Sequence, residues 1–238
     1  MNGWVHFNNI LQNPHCLVAG TTGSGKSTLL DGFIWTLSAT DPKANELVLI
    51  DPKRIDLRKW KNLPHVLRYE TELDGAINAL DCAIAQMNAR YRDMAKNPDI
   101  EWRGYYIVID ELADLMLEGK KRVLPKLQKI LQLGRGCNMH LVCATQAPSR
   151  KVIPAELTLN FTDRIALRCV SAIESRQIIN QAGAENLPRY GEALYLSPEG
   201  LRLLDCPKTD DEWIEERINY WNANKPAKGF LSRLFGRG

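Results

Sequence analysis

The segment LVAGTTGSGKST (17–28) places the strongest constraint on how this chain can fold. Gly20, Gly25, Lys26 and Ser27 satisfy the spacing G-x-x-x-x-G-K-[ST], which composition alone produces on the order of once in a hundred chains of this length. A short apolar run precedes the motif, and apolar residues with helical spacing follow it. Strand, glycine loop and helix together direct backbone N–H groups at a phosphate. We therefore expect a nucleotide-binding P-loop rather than a glycine-rich turn with a surface lysine.

The chemistry of the loop assigns roles to its residues. Glycines let the backbone wrap closely around phosphates, Lys26 would reach the β- and γ-phosphates of ATP, and the Ser27 hydroxyl would hold Mg²⁺. The candidate nucleotide-binding residues form one continuous run: Gly20, Thr21, Thr22, Gly23, Ser24, Gly25, Lys26, Ser27 and Thr28.

A second candidate group follows the apolar run YYIVI, which leads directly into Asp110 and Glu111. Acids at the carboxyl end of a strand reach the crevice where open α/β sheets bind ligands. Asp110 would support Mg²⁺ through water, and Glu111 would polarise the attacking water. The alternative is that Asp110 only N-caps the next helix. A water-activating glutamate, in a chain with no guanine-reading NKxD-like sequence, favours ATP hydrolysis over small-molecule phosphorylation or a GTP switch.

Apolar runs alternate with helical patterns along most of the chain. Apolar residues recur at three- and four-residue steps in 72–96 and again in 123–134, where Pro125 is expected only in the first turn. Five runs without polar alternation are typical of strands in a parallel sheet covered by helices: 16–20, 47–51, 105–110, 140–145 and 164–169. The sequence therefore predicts an α/β fold with a mostly parallel sheet flanked by helices.

Charge and cysteine content narrow the class of protein. A net charge of +3 permits an anionic partner such as nucleic acid without arguing for one. The six cysteines never have CxxC spacing, so we expect buried reduced thiols rather than a metal or redox site. The sequence has no signal-peptide pattern and no apolar run of about 20 residues. We expect a cytoplasmic protein.

With these residues in place, the chain resembles the motor domain of the FtsK/SpoIIIE DNA translocases, in the HerA–FtsK branch of the RecA-like P-loop ATPases. Six collinear segments between about Pro14 and Leu196 carry the resemblance: PHCLVAGTTGSGKS, LIDPKRIDL, ALDCAIAQMNARYRDM, YYIVIDELADLM, GRGCNMHLVCATQAPS and TDRIALRCVSAIESRQIINQAGAENLPRYGEALYL. A P-loop alone would be weak support, whereas six segments in order are specific. The resemblance implies a RecA-like fold, ATP with Mg²⁺, double-stranded DNA as partner, and a homo-oligomeric ring, in this family a hexamer.

The resemblance also implies roles for two further residues. Gln146 matches the polar sensor of the γ-phosphate at the end of a strand. Arg135 matches the arginine that the family inserts into the site of a neighbouring subunit, where it neutralises transition-state charge. Without the family, Arg135 would be interpreted as a solvated arginine at a helix end.

The chain departs from the family where the family contacts DNA. Ala147 stands where an arginine usually follows Thr-Gln, and Ala172 stands where the second pore loop has lysine, although Arg176 is retained. Arg150 and Lys151 lie close by in sequence and are candidate replacements, because a backbone contact needs charge more than fixed geometry. The alternative is that they are ordinary surface charges.

These observations predict a motor domain at 1–222 and a tail at 223–238. The tail is either disordered or a basic amphipathic segment that docks on a membrane or a protein, since four apolar residues would share one helical face: Phe230, Leu231, Leu234 and Phe235. We expect an ATP-dependent translocase of double-stranded DNA, and because little precedes the P-loop, one from a mobile element, phage or plasmid. The alternatives are a conjugative coupling ATPase that delivers nucleoprotein to a secretion channel, and a non-motor, ATP-gated adaptor for protein.

Overall fold

The apolar runs form the strands of one eight-stranded sheet in the computed structural model, which describes residue 13, residues 15–206 and residues 208–224. The strands are β1 (His15–Ala19), β2 (Asn45–Ile50), β3 (Val66–Glu70), β4 (Gly104–Ile109), β5 (Met139–Thr145), β6 (Asp163–Ala166), β7 (Glu192–Ser197) and β8 (Gly200–Asp205). The α-helices are α1 (Lys26–Leu37), α2 (Leu73–Met94), α3 (Leu112–Leu133), α4 (Ala155–Leu159), α5 (Ala172–Ile179) and α6 (Asp211–Ala223).

The strand order is β3-β2-β4-β5-β1-β6-β7-β8. Every pair from β3 to β6 is parallel, and the β6–β7 and β7–β8 pairs are antiparallel. The predicted mostly parallel sheet is confirmed, while β3 and the β7–β8 hairpin were not predicted. Because β1 lies between β5 and β6, and β4 lies beside β5, the carboxyl ends of these four strands share one edge of the sheet.

Helices bury both faces of the sheet, as its continuous apolar strands require. On one face, α2 and α3 contribute side chains such as Leu80 and Leu127, both fully buried. On the other face, Phe33 and Ile34 of α1 pack with Ile214 of α6. The helix predicted within 72–96 corresponds to α2.

The prediction that Pro125 lies in the first turn of its helix is wrong. Helix α3 begins at Leu112, and Pro125 lies inside it. The ring of a helical proline clashes with the carbonyl four residues earlier and removes one hydrogen bond, so a bend is expected on its N-terminal side. Gly119 provides that bend, with φ −132° and ψ 25°.

Three further expectations concern the cysteines, membrane-spanning helices and the C-terminal tail. The six cysteines are free thiols, and four of them are buried: Cys16, Cys137, Cys143 and Cys169. Across the described ranges, no helix combines the length and apolar character needed to cross a membrane. The four apolar residues of the predicted tail, and residues 225–238 as a whole, lie outside the described residues.

Asp163, the first residue of β6, is a buried acid that makes stability depend on pH. The side-chain amide of Asn13 donates to both of its carboxylate oxygens, at 3.0 and 2.8 Å. Burial raises the pKa of Asp163 to about 6, although hydrogen bonds from Asn13 and Tyr195 oppose the shift. The folded protein holds this proton more tightly than the unfolded chain. The contribution of Asp163 to stability is therefore full below about pH 4 and is lost as pH rises through about 6.

In the wild type, titration of Asp163 should lower the free energy of unfolding by about 2 kcal/mol between about pH 4.5 and about pH 7. We expect Asp163→Asn to abolish this part of the pH dependence. Urea unfolding of the wild type and the variant at both pH values measures this difference. Asp99→Asn, which replaces an exposed acid, should leave the pH dependence unchanged. Identical pH profiles for wild type and Asp163→Asn would contradict the prediction.

Candidate nucleotide-binding site

The loop between β1 and α1 depends on two glycines. Gly25, the residue before α1, has φ 96°, a left-handed conformation that side chains disfavour. At Gly20 space is limiting, because an added Cβ would lie 2.5 Å from Oγ of Ser24 and 2.7 Å from Cβ of Leu167. The sequence therefore folds into a tight turn that packs directly against the residues following β6.

This turn leaves backbone donors free at the start of α1. In the part of the chain that the structure describes, the N–H groups of Gly23, Gly25 and Lys26 donate to no protein acceptor. The same residues line a cleft of 350 Å³. Free N–H groups at the start of a helix suit a phosphate, since the helix dipole adds positive potential there. The predicted P-loop therefore has the geometry of an anion site.

Lys26 forms a buried ion pair with Asp110, the residue that follows β4. Its Nζ lies 2.5 Å from Oδ1 and 3.0 Å from the carbonyl oxygen of Asp110, and both side chains are buried. Burial raises the pKa of Asp110, and the charge of Lys26 partly opposes that shift. Among the described residues, the second carboxylate oxygen of Asp110 has no hydrogen-bond partner. The alternative that Asp110 caps α3 is wrong, because Glu111 occupies the N-cap position.

Asp56 is a site residue that the sequence analysis did not identify. Its Oδ2 accepts a hydrogen bond from the Ser27 hydroxyl at 2.6 Å and lies 3.9 Å from Nζ of Lys26. The available signal was its position in the segment LIDPKRIDL, five residues after Asp51. No local pattern distinguishes it from other loop acids, because only the folded sheet brings the β2–β3 connection to the P-loop.

The oxygen atoms beside Lys26 suit Mg²⁺. The unpaired Asp110 oxygen, the Ser27 hydroxyl and the Asp56 carboxylate are the hard ligands that this ion prefers. Within the described ranges, His, Cys, Asp and Glu form no group of three that could hold a metal by itself. Mg²⁺ commonly retains waters and takes phosphate oxygens as ligands, so the donor set fits an ion that binds together with a nucleotide.

Glu111 is held at the same edge of the sheet by three donors. Its Oε1 accepts from Thr145 Oγ1 at 2.8 Å and from the Gln146 N–H at 3.0 Å. Its Oε2 lies 3.1 Å from Nζ of Lys53. Burial lowers the pKa of Lys53, but the hydrogen bond to Glu111 and its charge outweigh burial and raise that pKa. The Gln146 N–H is shared with Oε2 at 3.2 Å, so these donors fix the orientation of the buried carboxylate.

Gln146 connects the carboxylate to the P-loop. Its backbone N–H donates to Glu111, and its side-chain oxygen accepts from the Thr22 hydroxyl at 2.8 Å. The structure thus brings the predicted residues of the loop, the acid pair and Gln146 into one cluster.

Arg135 lies away from this cluster. It is an exposed residue of the 3-10 turn Gly134–Cys137, which precedes β5, whereas the P-loop faces the other end of that strand. Strand β5 has seven residues and is about 20 Å long. Arg135 is therefore separated from the P-loop of its own chain by about the length of β5.

The three predicted DNA-binding residues are exposed and belong to two segments. Arg150 and Lys151 lie in the connection that follows β5, and Arg176 lies on α5, which follows β6. These strands flank β1 on its two sides. Both segments therefore leave the sheet at the edge that carries the P-loop.

Arg189 and Tyr190 are two further residues at the site that the sequence analysis did not single out. Tyr190 lines the cleft beside the P-loop, and the Arg189 guanidinium lies against Gly23. Both belong to the connection before β7, whose position follows from strand order rather than from a local motif.

Comparisons with known proteins agree with this architecture. The model of the FtsK/SpoIIIE family matches residues 2–106. The DNA translocase FtsK 1 of Neisseria meningitidis is 33% identical over 94% of this chain and 33% of its own length. The chain spans about a third of the length of the curated relatives that it matches.

Solved structures share the fold. The conjugation coupling protein TcpA of pCW3, with ATPγS, superimposes with a TM-score of 0.78 at 21% identity, over 88% of this chain and 66% of that one. The cytoplasmic domain of the Type VII secretion ATPase EccC of Thermomonospora curvata has a TM-score of 0.73 at 25% identity, over 88% and 28%. The predicted P-loop ATPase fold is confirmed. The FtsK/SpoIIIE family model over residues 2–106 and the 33% identity along 94% of the chain confirm the predicted resemblance to that family.

Proposed function

We propose that this chain is a Mg²⁺-dependent ATPase of the cytoplasm that works as a homo-oligomeric ring, a hexamer, to translocate double-stranded DNA. The observation that carries the proposal is the convergence of Lys26, Asp110, Glu111 and Gln146 on one sheet edge beside free backbone donors. Lysine, acid pair and polar sensor are the parts that ATP hydrolysis requires.

Nucleotide binding would rearrange the buried ion pair. The residues from Gly20 to Thr28 would surround the phosphates, and Lys26 would exchange its contact with Asp110 for one with the β- and γ-phosphates. Asp110 would then hold Mg²⁺ through water, with Ser27 as a direct ligand. When bound, Mg²⁺ would neutralise the charge that develops on the phosphates.

Hydrolysis would depend on Glu111 and Gln146. A water beside Glu111 would be oriented and polarised by the carboxylate, which Thr145 and Lys53 hold in place. Gln146, which contacts both Thr22 and Glu111, would register whether a γ-phosphate is present. Loss of that phosphate would change the contacts of Gln146 and so alter the connection that follows β5.

Ring assembly would supply the remaining charge. Because Arg135 lies at the opposite edge of the sheet from its own P-loop, it can act only on the site of a neighbouring subunit. An arginine supplied in trans stabilises the transition state and couples hydrolysis to subunit contact.

DNA would be contacted by Arg150, Lys151 and Arg176. These residues are exposed and adjoin the strands on either side of the P-loop strand, so a change at the nucleotide can reach them through short connections. Lysine and arginine contacts to the phosphate backbone are independent of sequence and sensitive to salt.

Two alternatives have specific support. The likeness to TcpA, a conjugation coupling protein, favours a coupling ATPase and an origin in a mobile element, phage or plasmid. The alanines at 147 and 172 favour a non-motor adaptor that binds protein, because they remove cations where the family grips DNA.

We expect Glu111→Gln to keep nucleotide affinity and to lower ATP turnover by about 10²–10⁴-fold, since an amide retains most hydrogen bonds but accepts no proton. Steady-state hydrolysis and equilibrium binding of ATPγS measure the two effects. Glu118→Gln, which replaces an exposed glutamate on α3, is the matched control. Normal turnover in Glu111→Gln would remove this residue from the mechanism.

We expect Arg135→Ala to lower turnover of the assembled protein by about 10³-fold or more while leaving nucleotide binding intact. Turnover measured across a dilution series that dissociates the assembly separates the two states. Mixing inactive Glu111→Gln subunits with Arg135→Ala subunits should restore part of the activity if Arg135 acts in trans. Equal loss in dilute and assembled protein would contradict a role in a neighbouring site.

The function as a whole is tested by ATP turnover with and without linear double-stranded DNA at two salt concentrations. A DNA motor should be stimulated by DNA, and the stimulation should fade as salt rises. Arg150→Ala combined with Lys151→Ala should reduce the stimulation, whereas Arg92→Ala, an exposed arginine on α2, should not. Turnover that ignores DNA would favour the protein adaptor.

A further inference from the structure

Two clefts meet at the P-loop, and Tyr190 lines both of them. The first is the 350 Å³ cleft of the glycine loop and Lys26. The second, of 470 Å³, is more apolar and lies on the other side of Gly25, between the start of α1 and the β7–β8 hairpin. Leu29, Leu167 and Cys206 line its interior. A phosphate site that adjoins an apolar cleft has room for a nucleotide and its base.

Arg189 lies over the glycine loop from the same segment. Its Nη2 is so close to Gly23 that an added Cβ would lie 3.0 Å from it. The guanidinium is also 5.3 Å from the Tyr190 ring centroid, a distance at which cation and ring attract each other. The two side chains therefore stand side by side at the mouths of the two clefts.

The backbone that carries these side chains is fixed at both ends. Leu187 is buried, and the carbonyl of Gly191 accepts a hydrogen bond from Cys206 N–H at 2.8 Å. Arg189 and Tyr190 between them are exposed. The segment thus presents two exposed side chains from an anchored backbone, so closing them on a ligand would not require the loop itself to be ordered.

Arg189 needs an anion that the described protein does not supply. No carboxylate in the described ranges lies within 4.0 Å of its guanidinium, although the chain pairs other arginines, such as Arg103 with Glu46 at 3.0 Å. The neighbouring backbone N–H groups of Gly23 and Gly25 also have no acceptor in the part of the chain that the structure describes. A guanidinium and N–H groups converging on one space are complementary to phosphate oxygens.

We propose that Arg189 and Tyr190 form a clamp on the bound nucleoside triphosphate, with Arg189 contacting the phosphates from within the same chain and Tyr190 covering the base or ribose in the apolar cleft. The clamp rests on the proposed ATP binding, and it adds two binding residues to that site. The roles differ in chemistry: Arg189 recognises charge, and Tyr190 recognises a flat organic group by ring contact.

Binding of two probes separates these roles. The full chain is titrated with ATPγS and with inorganic tripolyphosphate, which has the charge but no base. Arg189→Ala should weaken both ligands about tenfold or more, as loss of a charged hydrogen bond does, and Arg189→Lys should recover part of the loss. Tyr190→Ala should weaken ATPγS about three- to tenfold and leave tripolyphosphate unchanged, while Tyr190→Phe should match the wild type.

Controls distinguish the clamp from the proposed function. Arg92→Ala should bind both probes like the wild type, and Lys26→Ala should bind neither. If Lys26→Ala abolishes binding but the Arg189 and Tyr190 variants bind normally, ATP binding stands and the clamp is overturned. If Tyr190→Ala weakens both probes equally, the assignment of Tyr190 to the base is overturned. A wild type that binds neither probe overturns the clamp and the proposed function together.

Discussion

The buried ion pair between Lys26 and Asp110 is the interaction on which the site depends. It joins the P-loop after β1 to the end of β4, and β5 lies between those strands. Two strand spacings amount to about 9.5 Å, a gap that a lysine at the start of α1 can cross but a shorter side chain cannot. Removing either partner would leave a buried charge uncompensated, at a cost of about 3–5 kcal/mol. The order of the central strands is therefore part of the chemistry of the site.

The same pair explains why nucleotide and metal would bind together. Phosphate oxygens that attract Lys26 deprive Asp110 of its partner, and an unpaired buried carboxylate is unfavourable. Asp110, one of whose oxygens lacks a hydrogen bond among the described residues, would then be balanced by a hydrated Mg²⁺ that binds with the nucleotide. The hydrogen bonds of Glu111 do not involve Lys26 or Asp110, because its donors are Lys53, Thr145 and Gln146. Its carboxylate can thus keep its position while the neighbouring charges change partners.

Local sequence patterns predicted the features that depend on local structure, whereas the positions of the connecting loops depend on long-range packing. The P-loop, the acid pair after β4 and the apolar parallel strands follow from residue spacing, and the structure has them where they were expected. Asp56 and Arg189 lie on connections whose positions depend on strand order, so no periodicity marks them. The rule that proline lies in the first turn of a helix failed at Pro125 because the bend at Gly119 accompanies a proline inside α3. The β7–β8 hairpin was not predicted, because β7 buries alternate residues and β8 buries only Leu204, unlike the continuously buried parallel strands.

Two arginines divide the electrostatic work in the proposed mechanism. Arg189 lies at the P-loop of its own chain, whereas Arg135 lies about 20 Å away at the other end of β5. Lys53, although nearby, is already paired with Glu111. In this proposal a single chain would bind a triphosphate through Lys26 and Arg189, and the additional charge of the transition state would be met by a cation from a neighbouring subunit. Each subunit would then bind ATP by itself, but only the assembled ring would hydrolyse it rapidly. Such an arrangement would prevent hydrolysis before the ring has assembled on DNA.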